Sequence, residues 1–214
     1  RRLSIIDLSE AANQPMLSHS EKYVMVFNGE VYNFREIKEQ LKISTRTTSD
    51  TEIILEAFEK LGADFVNLLN GMFAIAIYDK HEEKLFLFRD RLGVKPLYYF
   101  LFKNNFAFGS EIKSLLKSNF VSQNIQLNKK TISTFLYAGY IPEPFTIYNN
   151  INRLAAGSFA VVDDNGIEIK NYWKPEEKIT ASVKNNFSYA KNELKNLLIS
   201  SVHYRMISDV PFGT

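Results

Sequence analysis

The 214 residues predict an α+β fold in which sheets buried on both faces lie between outer helices, an α/β/β/α layering. Three observations carry this expectation. The run Gly71-Met72-Phe73-Ala74-Ile75-Ala76-Ile77-Tyr78 has little polar alternation, the pattern of a strand covered on both sides. Eight or more strand-like runs, rich in β-branched and aromatic residues, are set off by turn residues. Several amphipathic stretches of helical period flank them. Periodicity alone gives only mixed α and β; the layering follows from strands that need cover on both faces. An apolar fraction of 45%, with 17 Phe and 11 Tyr, supplies core for one large domain and part of another.

The elements follow in order. Tyr23-Val24-Met25-Val26-Phe27 is a buried strand that ends at Asn28-Gly29-Glu30. Asn33 caps a helix over residues 34–41, with Glu36 as capping-box partner. Thr48-Ser49-Asp50-Thr51-Glu52, followed by Ile53, Ile54, Ala57, Phe58 and Leu61, is an amphipathic helix with Ser49 as N-cap, Glu52 as box partner and Gly62 as terminator. The strand at 71–78 pairs with Leu85-Phe86-Leu87-Phe88 across a polar turn near His81. Leu97-Tyr98-Tyr99-Phe100 and Phe106-Ala107-Phe108 form a hairpin about Asn104-Asn105, and short helices cover 111–116 and 130–137. Residues 158–162 and 167–172 form a hairpin about Asp164-Asn165-Gly166 with a type I′ signal, closed by Trp173. Residues 174–186 are polar and charged and read as a linker. Beyond it Tyr189, Leu194, Leu197, Leu198, Val202 and Met206 mark an apolar stripe on a helix, which must pack on something.

The chemistry concentrates near Asn28-Gly29-Glu30. A side-chain amide beside a bare backbone N–H offers two donors to one point, as a developing oxyanion requires, and Gly29 has no Cβ to block a ligand. The competing reading is a type I′ turn. Arg2 has the planar fork that matches a carboxylate, against the alternative of a frayed terminal charge. Asp50 in a first helical turn is a carboxylate for a ligand ammonium group or simply a partner of the helix dipole. Together they describe a pocket for an amino acid with a reactive side-chain carbonyl. Arg89-Asp90-Arg91 reads as a structural ion pair shaping the turn before Gly93, and Glu143, between Pro142 and Pro144, sits in a stiff loop.

Other classes are disfavoured. A net charge of +2 with scattered lysines argues against a nucleic-acid partner. No apolar run has transmembrane length, so no membrane partner is expected. The absence of cysteine excludes disulfides and thiolate metal sites, and His19, His81 and His203 form no recognisable metal motif, so no metal is expected in this segment.

Arg2-Leu3-Ser4-Ile5-Ile6-Asp7, Phe27-Asn28-Gly29-Glu30-Val31-Tyr32-Asn33 and Ser49-Asp50-Thr51-Glu52 resemble the glutaminase domain of glutamine-hydrolysing asparagine synthetases, which are class II (N-terminal-nucleophile) glutamine amidotransferases. Leu69-Asn70-Gly71-Met72-Phe73-Ala74, Arg89-Asp90-Arg91-Leu92-Gly93-Val94-Lys95-Pro96-Leu97-Tyr98 and Phe108-Gly109-Ser110-Glu111-Ile112-Lys113 extend the match, and Gly139-Tyr140-Ile141-Pro142-Glu143-Pro144 points to the synthetase branch. The resemblance implies a four-layer N-terminal-nucleophile sandwich over residues 1–173, a linker at 174–186, and the first helix of an ATP-dependent synthetase domain at 187–214, before its pyrophosphate loop. It implies that Arg2 holds the glutamine α-carboxylate, that Glu30 and Asp50 hold the α-amino group, that Leu3 and Ile5 line the pocket, and that Asn28 and Gly29 form the oxyanion hole.

The family's nucleophile is an N-terminal cysteine, and this sequence has none. The resemblance therefore implies that the nucleophile lies on a portion not included here and that these residues alone are inactive. It assigns no cofactor to this segment; ATP and magnesium belong to the synthetase domain. It implies a cytoplasmic enzyme that uses glutamine, aspartate and ATP to make asparagine, with its own synthetase domain as partner and a homodimer kept open. Two other readings stand beside it: an amidotransferase of the same layout acting on a surface-polymer sugar or secondary metabolite, and a non-catalytic glutamine-binding module.

Overall fold

The computed structural model describes residues 6–178 and 187–211. Along these the elements are β1 (Met16–Leu17), β2 (Tyr23–Val31), α1 (Phe34–Leu41), α2 (Asp50–Leu61), β3 (Gly71–Asp79), β4 (Lys84–Arg89), β5 (Tyr98–Phe102), β6 (Asn105–Gly109), α3 (Ile112–Leu115), α4 (Asn119–Gln123), α5 (Lys129–Ala138), β7 (Ile151–Arg153), β8 (Ser158–Asp163), β9 (Gly166–Asn171) and α6 (Phe187–Arg205).

Six strands form one sheet in the order β1-β2-β3-β4-β8-β9, and three form a second, β6-β5-β7. Alternation along β3 decides the layering. Phe73, Ile75 and Ile77 point to one face, where Phe34 and Ile37 of α1 and Ile53, Ile54 and Phe58 of α2 cover them. Phe58 meets Tyr23 and Phe86 edge-on, at 5.1 Å in each case. Ala74 and Ala76 point to the other face and pack with Leu87 and Ala160 against Leu97, Tyr99 and Leu154. Behind the second sheet, Phe100 and Ile151 pack on Leu115 and Val121 from α3 and α4. The expected α/β/β/α order is present, with β3 covered on both faces.

Several local expectations are corrected. β2 does not end at Asn28: it runs to Val31, with Asn28, Gly29 and Glu30 paired to Ala74, Phe73 and Met72. The hairpin turn at Asn28-Gly29 is therefore excluded. Gly29 has φ +153°, and a Cβ there would fall 2.1 Å from the Met72 carbonyl oxygen. Gly71 faces the reciprocal restriction, its Cβ falling 2.2 Å from the Glu30 carbonyl oxygen. The bare backbone is required by the neighbouring strand itself.

The capping boxes are incomplete. Ser49 does cap α2, its Oγ accepting from the Thr51 N–H at 3.2 Å. The Glu52 carboxylate instead accepts from the N–H groups of Arg46 and Thr47, at 2.8 and 2.7 Å. Asn33 precedes α1 without capping it: its amide donates to the Leu68 carbonyl at 2.9 Å and accepts from the Asn70 N–H at 2.8 Å. A nearby loop outcompetes the helix end in both cases. The β8–β9 turn is not type I′, because positive φ falls on Gly166 and on neither Asp164 nor Asn165. Asp163 stabilises it, Oδ1 accepting from the Asn165 N–H at 2.8 Å.

Trp173 closes the sandwich, its N–H donating to the Gly157 carbonyl at 3.1 Å. Pro175–Lys178 is a 3-10 turn; the remainder of the expected linker, 179–186, lies outside the described residues. The stripe on α6 is exposed at Tyr189, Leu194, Leu197, Leu198 and Val202. The chain after α6 is nevertheless anchored. Arg205 lies over the Tyr32 ring at 5.1 Å, Ile207 packs on the helix-side core, and Asp209 Oδ2 accepts from the Asp7 N–H at 2.8 Å.

Candidate active site

A cavity of about 720 Å³ opens beside β2. Its wall includes Asn28, Gly29 and Glu30 of β2, Asp50 in the first turn of α2, and Gly109 and Ser110 at the end of β6. Four of the residues singled out from sequence thus meet in one place. Arg2, Leu3 and Ile5 lie outside the described residues; Ile6, next in the chain, lines the cavity.

The polarity of the β2 edge follows from the ladder. Phe73 spends both backbone groups on Asp90: its N–H donates to Oδ2 at 3.2 Å and its carbonyl accepts from the Asp90 N–H at 2.9 Å. Those bonds lie on the side away from β2, so Gly29 and Phe73 are a pair without mutual hydrogen bonds. The Gly29 N–H then points to the opposite edge. On that edge the Phe27 N–H donates to Gln14 Oε1 at 2.6 Å and the Val31 N–H to Asp50 Oδ2 at 3.1 Å. The Gly29 N–H lies between two that are already taken.

The acids are held differently. Asp50 is only 3% exposed and bolts α2 to β2 through the Val31 N–H. Glu30 is half-buried, and burial raises its carboxyl pKa while Lys95 pulls the other way. Behind Asp50, Asp7 fixes the preceding corner: Oδ2 accepts from the Thr48 N–H and hydroxyl at 2.9 and 3.0 Å. The Ser9 hydroxyl, bonded to Oδ1 at 2.6 Å, leads the interactions that hold Asp7 to about 2 against the opposing effect of burial.

Two cavity residues went unrecognised in the sequence. Gln14 braces the Phe27 backbone, and Ser110 Oγ accepts from Asn28 Nδ2 at 3.1 Å. Gln14 lies in no motif, and Ser110 stands in the matching run 108–113 without a role assigned to it; both are brought in from other elements. Arg89 and Asp90 are structural, as expected, but the ion pair differs. Arg89, 3% exposed, donates to Glu143 Oε1 at 2.6 Å and to the carbonyls of Lys95, Leu154 and Gly93. Asp90 instead gathers the N–H groups of Leu92, Val94 and Lys95. Glu143 therefore ties its proline loop to the β4 turn. Among the described residues no group of three His, Asp or Glu side chains could hold a metal ion, and no helix is long and apolar enough to cross a membrane.

Residues 1–173 match the glutamine amidotransferase domain family. Asparagine synthetase [glutamine-hydrolyzing] 1 of Bacillus subtilis is 35% identical over 219 residues, covering 100% of this chain and 33% of that protein. A Methanocaldococcus jannaschii protein is 38% identical over 229 residues, with 99% of this chain and 44% of that protein covered. The chain spans less than half the length of these relatives. Among solved structures, the glutamine phosphoribosylpyrophosphate amidotransferase of B. subtilis superposes with a TM-score of 0.50 at 18% identity, covering 75% of this chain and 32% of that one. This likeness concerns the fold alone. Family match and layering agree, and the chain belongs to the glutamine amidotransferase domain family, with asparagine synthetases among its relatives along the whole length.

Proposed function

We propose that the cavity beside β2 binds glutamine and that its hydrolysis supplies ammonia for ATP-dependent conversion of aspartate to asparagine in the whole protein. The observation that carries the glutamine half is the convergence of Asn28, Gly29, Glu30 and Asp50 on one cavity. In this reading Glu30 and Asp50 face the substrate ammonium group, and Arg2 takes its α-carboxylate. Asn28 Nδ2 and the Gly29 N–H face the side-chain carbonyl oxygen. Attack at the carbonyl carbon moves an electron pair onto that oxygen, where two fixed donors stabilise it more than the neutral carbonyl. A cysteine thiolate is the nucleophile the resemblance implies, and these 214 residues contain none. The synthetase half is supported by the named relatives alone; ATP and magnesium are assigned to no described residue. The segment from 187 onward serves, in this reading, as the start of the synthetase domain.

The test uses the protein expressed from its complete reading frame, with glutamine, aspartate and Mg-ATP, scoring glutamate and asparagine. Asparagine formed in step with glutamate, with both depressed roughly 100- to 1,000-fold by Asn28→Ala, is the expected result. Glutamate without asparagine would overturn the acceptor. Full glutaminase activity in Asn28→Ala would overturn the site.

A further inference from the structure

We propose that Ser110 is a positioning residue for glutamine hydrolysis: its hydroxyl, accepting from one N–H of the Asn28 amide, holds that side chain at the cavity wall with the second N–H facing the developing oxyanion. The inference rests on the proposed role of Asn28 as an oxyanion donor.

Asn28 needs such a partner. Its backbone is fixed in the ladder opposite Ala74, but its side chain is exposed. A solvated Asn amide rotates freely about its terminal torsion. Flipped by half a turn, it presents a carbonyl oxygen where a donor is needed, and that orientation repels an oxyanion. Among the described residues Ser110 is the only side chain hydrogen-bonded to this amide, Nδ2 donating to Oγ at 3.1 Å. One N–H of the amide is thereby used, and the second is left for the substrate.

Ser110 is itself well anchored. The preceding Gly109 pairs with Tyr98 in the second sheet. The following Glu111 opens α3, its carbonyl accepting from the Ser114 N–H at 3.1 Å. Phe108, Gly109 and Ser110 line the same cavity as Asn28. The donor thus stands on one sheet and its orienting group on the other, so the hydrogen bond crosses between the two sheets at the cavity wall.

The effect should fall on the transition state, because only there does the oxygen carry the charge that the amide orientation serves. In the full-length protein, Ser110→Ala should lower kcat for glutamate release about five- to tenfold, the worth of one neutral hydrogen bond. KM for glutamine should move less than about twofold, since the amide's bond to the neutral carbonyl is weaker than its bond to the oxyanion. Ser110→Thr keeps the hydroxyl and should restore kcat. Ser110→Ala added to Asn28→Ala should cost nothing further, as the group it orients is gone.

Three results overturn the proposal: Ser110→Ala with unchanged kcat while Asn28→Ala remains impaired, no recovery in a folded Ser110→Thr, or a full additional loss in the double variant. A silent Asn28→Ala would instead remove the oxyanion reading on which the proposal stands, so the two failures are distinguishable. A merely structural serine would lower the melting midpoint and shift KM along with kcat, and thermal melts of each variant measure that directly.

Discussion

Gly29→Ala separates two reasons for a glycine beside an oxyanion donor. A Cβ at this position would lie 2.1 Å from the Met72 carbonyl oxygen and 2.7 Å from the Phe73 Cα, both backbone atoms of the paired strand. Neither can swing aside as a side chain could. The φ of +153° adds strain for any L residue. Conformational strain of about 1–3 kcal/mol and overpacking of about 1–3 kcal/mol give a loss of roughly 2–6 kcal/mol. That is a large share of a typical folding free energy of about 5–15 kcal/mol. Gly166→Ala is the matched control: its φ is +122°, but a Cβ there meets nothing within 4 Å. It should therefore show the strain without the collision. Thermal melts of the full-length protein, followed by far-UV circular dichroism, would read about 2–4 °C per kcal/mol for a domain of this size. If Gly29→Ala melts no lower than Gly166→Ala, the strand-contact argument is wrong. A normal melt with a raised KM for glutamine would show that the bare backbone serves ligand approach alone.

Other consequences are equally direct. Asp7 is held to about 2, below the usual 3.8, so its stabilising effect is complete above pH 4 and is lost as pH falls toward 2. It is worth roughly 2 kcal/mol; Asp7→Asn should lower the neutral-pH melt and flatten the acid limb of a stability–pH curve. Glu30, raised by burial, should lose its charge at higher pH than an ordinary carboxylate. KM for glutamine should therefore rise early on acidification, and Glu30→Gln should raise KM and flatten that dependence. Arg89→Met removes a buried guanidinium from the more exposed Glu143 and takes away three bonds to carbonyls, and should cost about 1–3 kcal/mol in thermal melts. Arg89→Lys should recover only part, because an ammonium cannot reproduce the fork.

What was legible in the sequence depended on the range of the interaction. The unbroken apolar run of β3 announced a strand covered on both faces, and the spacing of Ile53, Ile54, Ala57 and Phe58 announced the buried face of α2. The Asn28, Gly29, Glu30 and Asp50 cluster was legible because its residue types are unusual beside an apolar strand and a helix start. Competition was not legible. Glu52 and Asn33 fit helix caps locally, yet Arg46, Thr47, Leu68 and Asn70 claim their polar atoms through loops that only tertiary structure brings close. The pairing of Arg89 with Glu143 spans 54 residues, and nothing local distinguishes it from pairing with Asp90. The contacts of Ser110 with Asn28 and of Gln14 with Phe27 were invisible for the same reason.

The closure at Gly157 and Trp173 also gives these 214 residues a built-in spectroscopic reporter. The sequence has a single tryptophan, and it sits just after β9, where its backbone is hydrogen-bonded across to Gly157. Indole fluorescence therefore senses the last turn of the sandwich, whereas far-UV dichroism also weighs the 19 residues of α6. Coincident transitions from the two signals would mean that helix and sandwich melt as one cooperative unit; separated transitions would mean that they are energetically independent.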